Sequence, residues 1–271
     1  MRRLGSTPFA FPDFTGATRR LVLVNLATYF VLLLFQFALP SAANHVANAL
    51  VFRPSDFLSG WLWQPLTYSF VHFGILGTLF ELLSIWFLAA ILEASHGASW
   101  VNGLYAASVL GTAVAALAIY VVSGTLGSAV AEVPLYGCMG GIFGLLVAIG
   151  VLHGDMEFLM FFVVGIKAKY MAAIYALIAV AMLFGAQKMY AFAQLGGALA
   201  GLLYIRLLPK RGVSFFLSEG MYGMRNRYYR WKRRRAARKF EVYMRKQGHT
   251  VRFDGQGRLI DEEQDDKKHW N

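Results

Sequence analysis

The chain has 271 residues, 57% of them apolar, with a mean hydropathy of +0.49 and a formal net charge of +11. A soluble domain holds roughly 45–50% apolar residues, so this composition excludes an ordinary soluble enzyme and points to a polytopic membrane protein with polar tails. The single cysteine, Cys138, excludes an internal disulfide and a cysteine-only metal site.

In chain order, residues 1–19 are a short polar tail with Arg2, Arg3, Arg19, Pro8 and Pro12. Residues 21–39 are an apolar run closed by Pro40, long enough to cross the hydrocarbon. A cleaved signal peptide, with a weak site at Ser41-Ala42-Ala43, is the rival reading of this run. Residues 40–65 read as a loop, and Phe52, Phe57, Leu58, Trp61 and Trp63 suit it to the bilayer boundary. A second span is predicted over 75–92, entered through Tyr68-Ser69-Phe70-Val71-His72 and closed by the turn Glu93-Ala94-Ser95-His96-Gly97. The third covers 100–122, where Gly103, Ala107 and Gly111 recur every four residues and allow close helix approach. After a Gly/Ser loop at 123–135 comes a short fourth span over 137–152. Residues 156–166 are apolar but too few to span, and read as a buried or re-entrant strand. Lys167 and Lys169 then lead into spans over 169–185 and 190–208.

Six spans put both tails on one side. With that side cytoplasmic, only Arg53 and Lys188 of the 26 basic residues fall opposite, which satisfies the positive-inside rule. The expected setting is a multi-pass protein of a prokaryotic inner membrane with both termini cytoplasmic. Three regions are expected: an N-terminal tail at 1–19, a membrane body at 20–209 and a basic tail at 210–271.

The tail reads as a basic helix over 225–246. Arg225, Arg227, Arg230, Lys232, Arg233, Arg234, Arg235, Arg238 and Lys239 supply the charge, and Tyr228, Tyr229, Trp231, Phe240 and Tyr243 the interfacial aromatics. Anionic headgroups attract each cation by about 1 kcal/mol, so the expected partner is an anionic bilayer surface. RNA contact and docking to a partner protein are the other readings, although nucleic acid is not the expected partner. Asp261, Glu262, Glu263, Asp265 and Asp266 predict a disordered acidic end.

The organising stretch is Tyr136-Gly137-Cys138-Met139-Gly140-Gly141-Ile142-Phe143-Gly144-Leu145-Leu146. Gly137, Gly140, Gly141 and Gly144 share one helix face at spacings of three, four and seven. Each helical glycine costs roughly 1 kcal/mol against alanine, and in lipid the gain is backbone-to-backbone packing. Ordinary small-residue packing is the plain alternative.

Gly137-Cys138-Met139-Gly140 followed by Phe143-Gly144-Leu145 resembles the start of the fourth helix of the rhomboid intramembrane proteases, Gly-x-Ser-Gly. Ala193-Gln194, then Gly197 and Gly201, resembles their helix-six pattern Ala-His-x-x-Gly-x-x-x-Gly. The resemblance implies an all-α, six-transmembrane-helix rhomboid-like bundle. It also implies that Met139 and Gln194 stand where the serine and histidine of the catalytic dyad belong. The family's oxyanion pattern, His-x4-His-x3-Asn, is kept only at His72, with Gly77 and Glu81 at the other two positions. A thioether has no proton to lose, an amide is no base near neutral pH, and a carboxylate opposes a developing oxyanion.

The expectation is therefore a pseudoprotease without catalytic residues, cofactor or metal. Its function would be to bind or scaffold transmembrane segments of partner proteins. The alternatives are an accessory subunit of a larger membrane complex and a rearranged serine-type endopeptidase. Glu81, Tyr136, Cys138, Met139 and Gln194 form the expected binding site. A neutral Glu81 would bridge to Cys138, Gln194 or Tyr136, unless it sits near the interface and reaches water. Cys138 as a substitute nucleophile would point away from the serine's direction.

Overall fold

The computed structural model describes residues 12–126, 132–160, 164–185, 188–207 and 212–248. Two compact units are present, Met1–Val213 and Ser214–Asn271.

In the first unit, α1 (Gly16–Ala38), α5 (Ile75–His96), α6 (Ala98–Thr125) and α9 (Lys188–Leu207) are long and apolar enough to cross a membrane. Two others are shorter: α7 (Met139–Leu152) has 14 residues and α8 (Ala168–Met182) has 15. At 1.5 Å per residue each is about 21–23 Å long, against a hydrocarbon core of roughly 30 Å. Six full spans therefore resolve into four candidates and two shorter apolar helices. α7 packs against α5, α6, α8 and α9, and most of its side chains are buried. Shielded by protein, a helix can stop short of the full bilayer without exposing its ends to lipid.

Glycine governs the seam between α6, α7 and α9. A Cβ at Gly140 would run into the Thr112 side chain, one at Gly141 into the Tyr105 ring, and one at Gly144 into Ser108. From α9, Gly197 faces Thr112 and the Gly140 carbonyl, and Gly201 faces the Gly144 backbone. Two of the polar side chains in these clefts satisfy themselves within their own helix: Ser108 donates to the Leu104 carbonyl and Thr112 to the Ser108 carbonyl, each at 2.9 Å. Gly137 lies before the first turn of α7, so it is not part of this face as the spacing predicted.

The stretch expected as a loop at 40–65 is helical in three short pieces: α2 (Pro40–Leu50), α3 (Pro54–Leu58) and α4 (Gln64–Thr67). Each has proline at its start, where a missing N–H costs nothing. The segment is tied down by a two-way backbone pair between Phe52 and Leu135 at 3.0 and 2.9 Å. Trp61 and Trp63 stack, and the Trp63 indole donates to the Ala49 carbonyl at 2.9 Å. Tyr68, fully buried in a 3-10 turn (Tyr68–Phe70), donates to the Val109 carbonyl of α6 at 2.8 Å.

The stretch expected as a single re-entrant strand at 156–166 instead supplies both strands of an antiparallel pair, β1 (Glu157–Met160) with β2 (Val164–Lys167), in the register Glu157↔Lys167. At its base Lys169 donates to Asp155 at 2.8 Å, with Lys167 at 3.8 Å. The Lys169 ammonium holds the Asp155 carboxyl below the usual carboxylate range.

A further tie had no sequence signal. Thr15 at the N-cap of α1 makes no side-chain cap. Glu93, at the far end of α5, caps it instead: Oε1 accepts from the Ala17 N–H at 2.8 Å, and Oε2 from the Thr18 N–H and hydroxyl at 2.8 and 2.7 Å. The sequence had placed Glu93 only in the turn to Gly97.

In the second unit, α10 (Gly212–Lys246) begins well before the helix predicted at 225–246. Arg225, Arg227, Arg230, Lys232, Arg233, Arg235, Arg238 and Lys239 are exposed, and Arg235 lies over the Trp231 ring at 5.4 Å. The polar start at 1–11 and the acidic end lie outside the described residues.

Candidate functional site

Three elements meet where α7 begins. The loop after the 3-10 turn carries His72, the second turn of α5 carries Glu81, and the residue just ahead of α7 is Cys138. Gly137 makes the junction, donating its N–H to the Val71 and Tyr68 carbonyls at 2.8 and 3.1 Å with φ at +78°. A Cβ there would be strained, and would meet the two Glu81 carboxylate oxygens at 2.9 and 3.1 Å.

Glu81 is the hub. Its Oε2 accepts from the Cys138 backbone N–H and from the Cys138 thiol, each at 3.0 Å, and lies 3.3 Å from His72 Nε2. Cys138 is fully buried and the His72 side chain is 1% exposed, while that of Glu81 is 18% exposed. His72 Nδ1 lies 3.2 Å from the Phe70 carbonyl. A carbonyl can only accept, so the tautomer that bonds to it carries its proton on Nδ1 and presents the Nε2 lone pair toward the carboxylate.

Of the other residues singled out from sequence, Tyr136 packs edge-on against Phe73 with ring centroids 4.8 Å apart. Met139 opens α7 and is partly buried. Gln194 is buried on α9 and is not among the Glu81 partners just named. Gly77 lies on α5 with open space where a Cβ would be. Thus Cys138, but not Gln194 or Tyr136, is hydrogen bonded to Glu81, and His72 joins it.

The order of groups limits the chemistry. In a thiol relay the imidazole stands between nucleophile and carboxylate. Here the carboxylate stands between thiol and imidazole, and among the described residues no hydrogen bond joins Cys138 directly to His72. A second feature lies apart from this cluster: an apolar groove of about 430 Å³ between α6 and α9, walled by Ala118, Ile119, Val122, Phe192, Leu195 and Leu199.

Long apolar helices, a glycine-packed seam and a buried polar knot define a multi-pass integral membrane protein. Residues 20–231 match the family described as eukaryotic integral membrane protein (DUF1751), and the chain belongs to that family. No curated protein matches the chain.

Two expectations are corrected by this match. The chain is not assigned to the rhomboid proteases, so its recognition as a rhomboid pseudoprotease falls. The shared glycines at Gly140, Gly144, Gly197 and Gly201 follow from close helix approach, which any tightly packed membrane bundle requires, and Gly137 from the positive-φ junction ahead of α7. The family is eukaryotic, so the placement in a prokaryotic inner membrane falls as well.

Proposed function

We propose that this protein holds a transmembrane segment of a partner protein without cutting it. In this reading α7 and α8 join the four long helices inside the bilayer, as a core and a flank. The groove between α6 and α9 is the observation that carries the proposal. Its walls are apolar, and Ala115 and Gly196, which pack on each other where α6 meets α9, are among the residues that line it. Phe192 and Leu199 stand exposed along it, ready to flank an incoming helix. The exposed cations of α10 rest on an anionic lipid surface, with Trp231 and Tyr228 at headgroup level.

The test is photo-crosslinking in native membranes, with a photoreactive amino acid at Ala118 or Phe192. Adducts with a single-span or multi-span protein are expected at both positions, and should be lost when Ala118→Trp fills the groove. Adducts with lipid alone at both positions would overturn the reading. One stoichiometric protein would favour a subunit of a fixed complex, and a varied set a binder of many clients.

A further inference from the structure

We propose that His72, Glu81 and Cys138 form a binding site for one zinc-class divalent cation. The three donor atoms, an imidazole nitrogen, a carboxylate oxygen and a sulfur, lie within 4.8 Å of one another. They come from three separate elements, 9 and 57 residues apart in the chain. In a tetrahedral zinc site, bond lengths of about 2.0–2.3 Å put ligand atoms about 3.3–3.8 Å apart. The Glu81–His72 distance of 3.3 Å already meets that, and the Glu81–Cys138 distance of 3.0 Å needs only a small opening.

The independent observation is the His72 ring. Nε2 is buried, has no hydrogen-bond partner among the described residues and lies 3.3 Å from Glu81 Oε2. With Nδ1 donating to the Phe70 carbonyl, two lone pairs face each other across 3.3 Å. In that tautomer a proton or a metal ion between them relieves the repulsion. A ligating histidine commonly gives its other ring N–H to a backbone carbonyl, which is the arrangement here. The Cys138 sulfur, on the same carboxylate oxygen, favours the metal because it adds a soft third donor.

Charge balance agrees. Cys138 loses its thiol proton to solvent on binding, so one carboxylate and one thiolate cancel a 2+ ion beside a neutral imidazole. An electrically neutral set is the form that a buried position tolerates. Gly137 keeps the space open, since any Cβ there would press on the carboxylate. Three protein ligands leave a fourth position for water or another donor.

The experiment uses the full chain, purified in mild detergent. Zinc per chain is measured by mass spectrometry, and the protein is then titrated with Co²⁺ while its absorption is followed. Expected are about one zinc per chain and, with Co²⁺, a near-ultraviolet thiolate-to-cobalt band with tetrahedral visible bands. Cys138 is the only cysteine, so a thiolate band in the unmodified protein identifies the ligand without a variant. Cys138→Ser should abolish the band, and Glu81→Gln should weaken cobalt binding ~10-fold or more. Less than a tenth of an equivalent of zinc together with no thiolate band would overturn the site and leave a proton between His72 and Glu81. A band that survived Cys138→Ser would overturn it as well.

Discussion

Replacing Glu93 should loosen α1 from the rest of the membrane body. In Glu93→Ala the Ala17 and Thr18 N–H groups lose their acceptors, and both residues are fully buried. A buried donor left unpaired costs about 1–3 kcal/mol. The lost negative charge at a helix N-terminus adds about 0.3–1 kcal/mol. Water entering the vacated space recovers part of this, so the expected loss is about 2–4 kcal/mol. Glu93→Gln keeps one oxygen, but turns an amide N–H toward a donor, and should lose about half as much. Thr18→Ala removes only the 2.7 Å hydroxyl bond and should cost about 1 kcal/mol. The assay is reversible unfolding of the micelle-bound protein by SDS titration. A Glu93→Ala protein within about 0.5 kcal/mol of the original, a change typical of an uninvolved surface site, would refute the capping argument.

Gly144→Ala should destabilise by about 1–3 kcal/mol through overpacking against Ser108. Ser108→Gly should recover part of that loss in the double variant, and strict additivity in the same SDS titration would contradict the contact. Changing Arg230, Lys232, Arg233 and Arg235 to glutamine should weaken α10's hold on anionic bilayers by about 4 kcal/mol, at about 1 kcal/mol per cation. A spin label at Tyr228→Cys reads this, and equal water accessibility in neutral and anionic vesicles would count against it. Asp155 has a lowered carboxyl pKa because of Lys169, so its stabilising contribution is present above the unfolded value and fades as pH falls through the folded one. Asp155→Asn should remove that component from the fall in Tm below about pH 4. Parallel Tm profiles for the two proteins would show the pairing to be inert.

Much of the fold was legible in local pattern. Apolar runs placed α1, α5, α6 and α9 to within a few residues, because burial in lipid demands about twenty continuous apolar positions whatever the neighbours do. Composition alone decided the membrane class. The glycines of α7 and α9 announced close approach, though not to which partner. Their motif also led toward the rhomboid proteases, since close-packed bundles of different families need small residues at similar spacings.

The short helices at 40–67 and the β1–β2 pairing were less visible. Their apolar residues follow no sustained period, so proline starts and strand register had to decide. Contacts across the chain were less legible. Glu93 caps a helix more than seventy residues upstream with no local signal, whereas the contact of Glu81 with Cys138, 57 residues downstream, was expected only as one of three candidates, beside Gln194 and Tyr136. Helix periodicity tells which face a residue occupies, but not which loop arrives beside it. The amino-acid order thus settled that this is a membrane protein built of apolar helices with a basic end. Only the packing of α5 against α7, with the His72 loop folded over them, brought an imidazole, a carboxylate and the single thiol to one point.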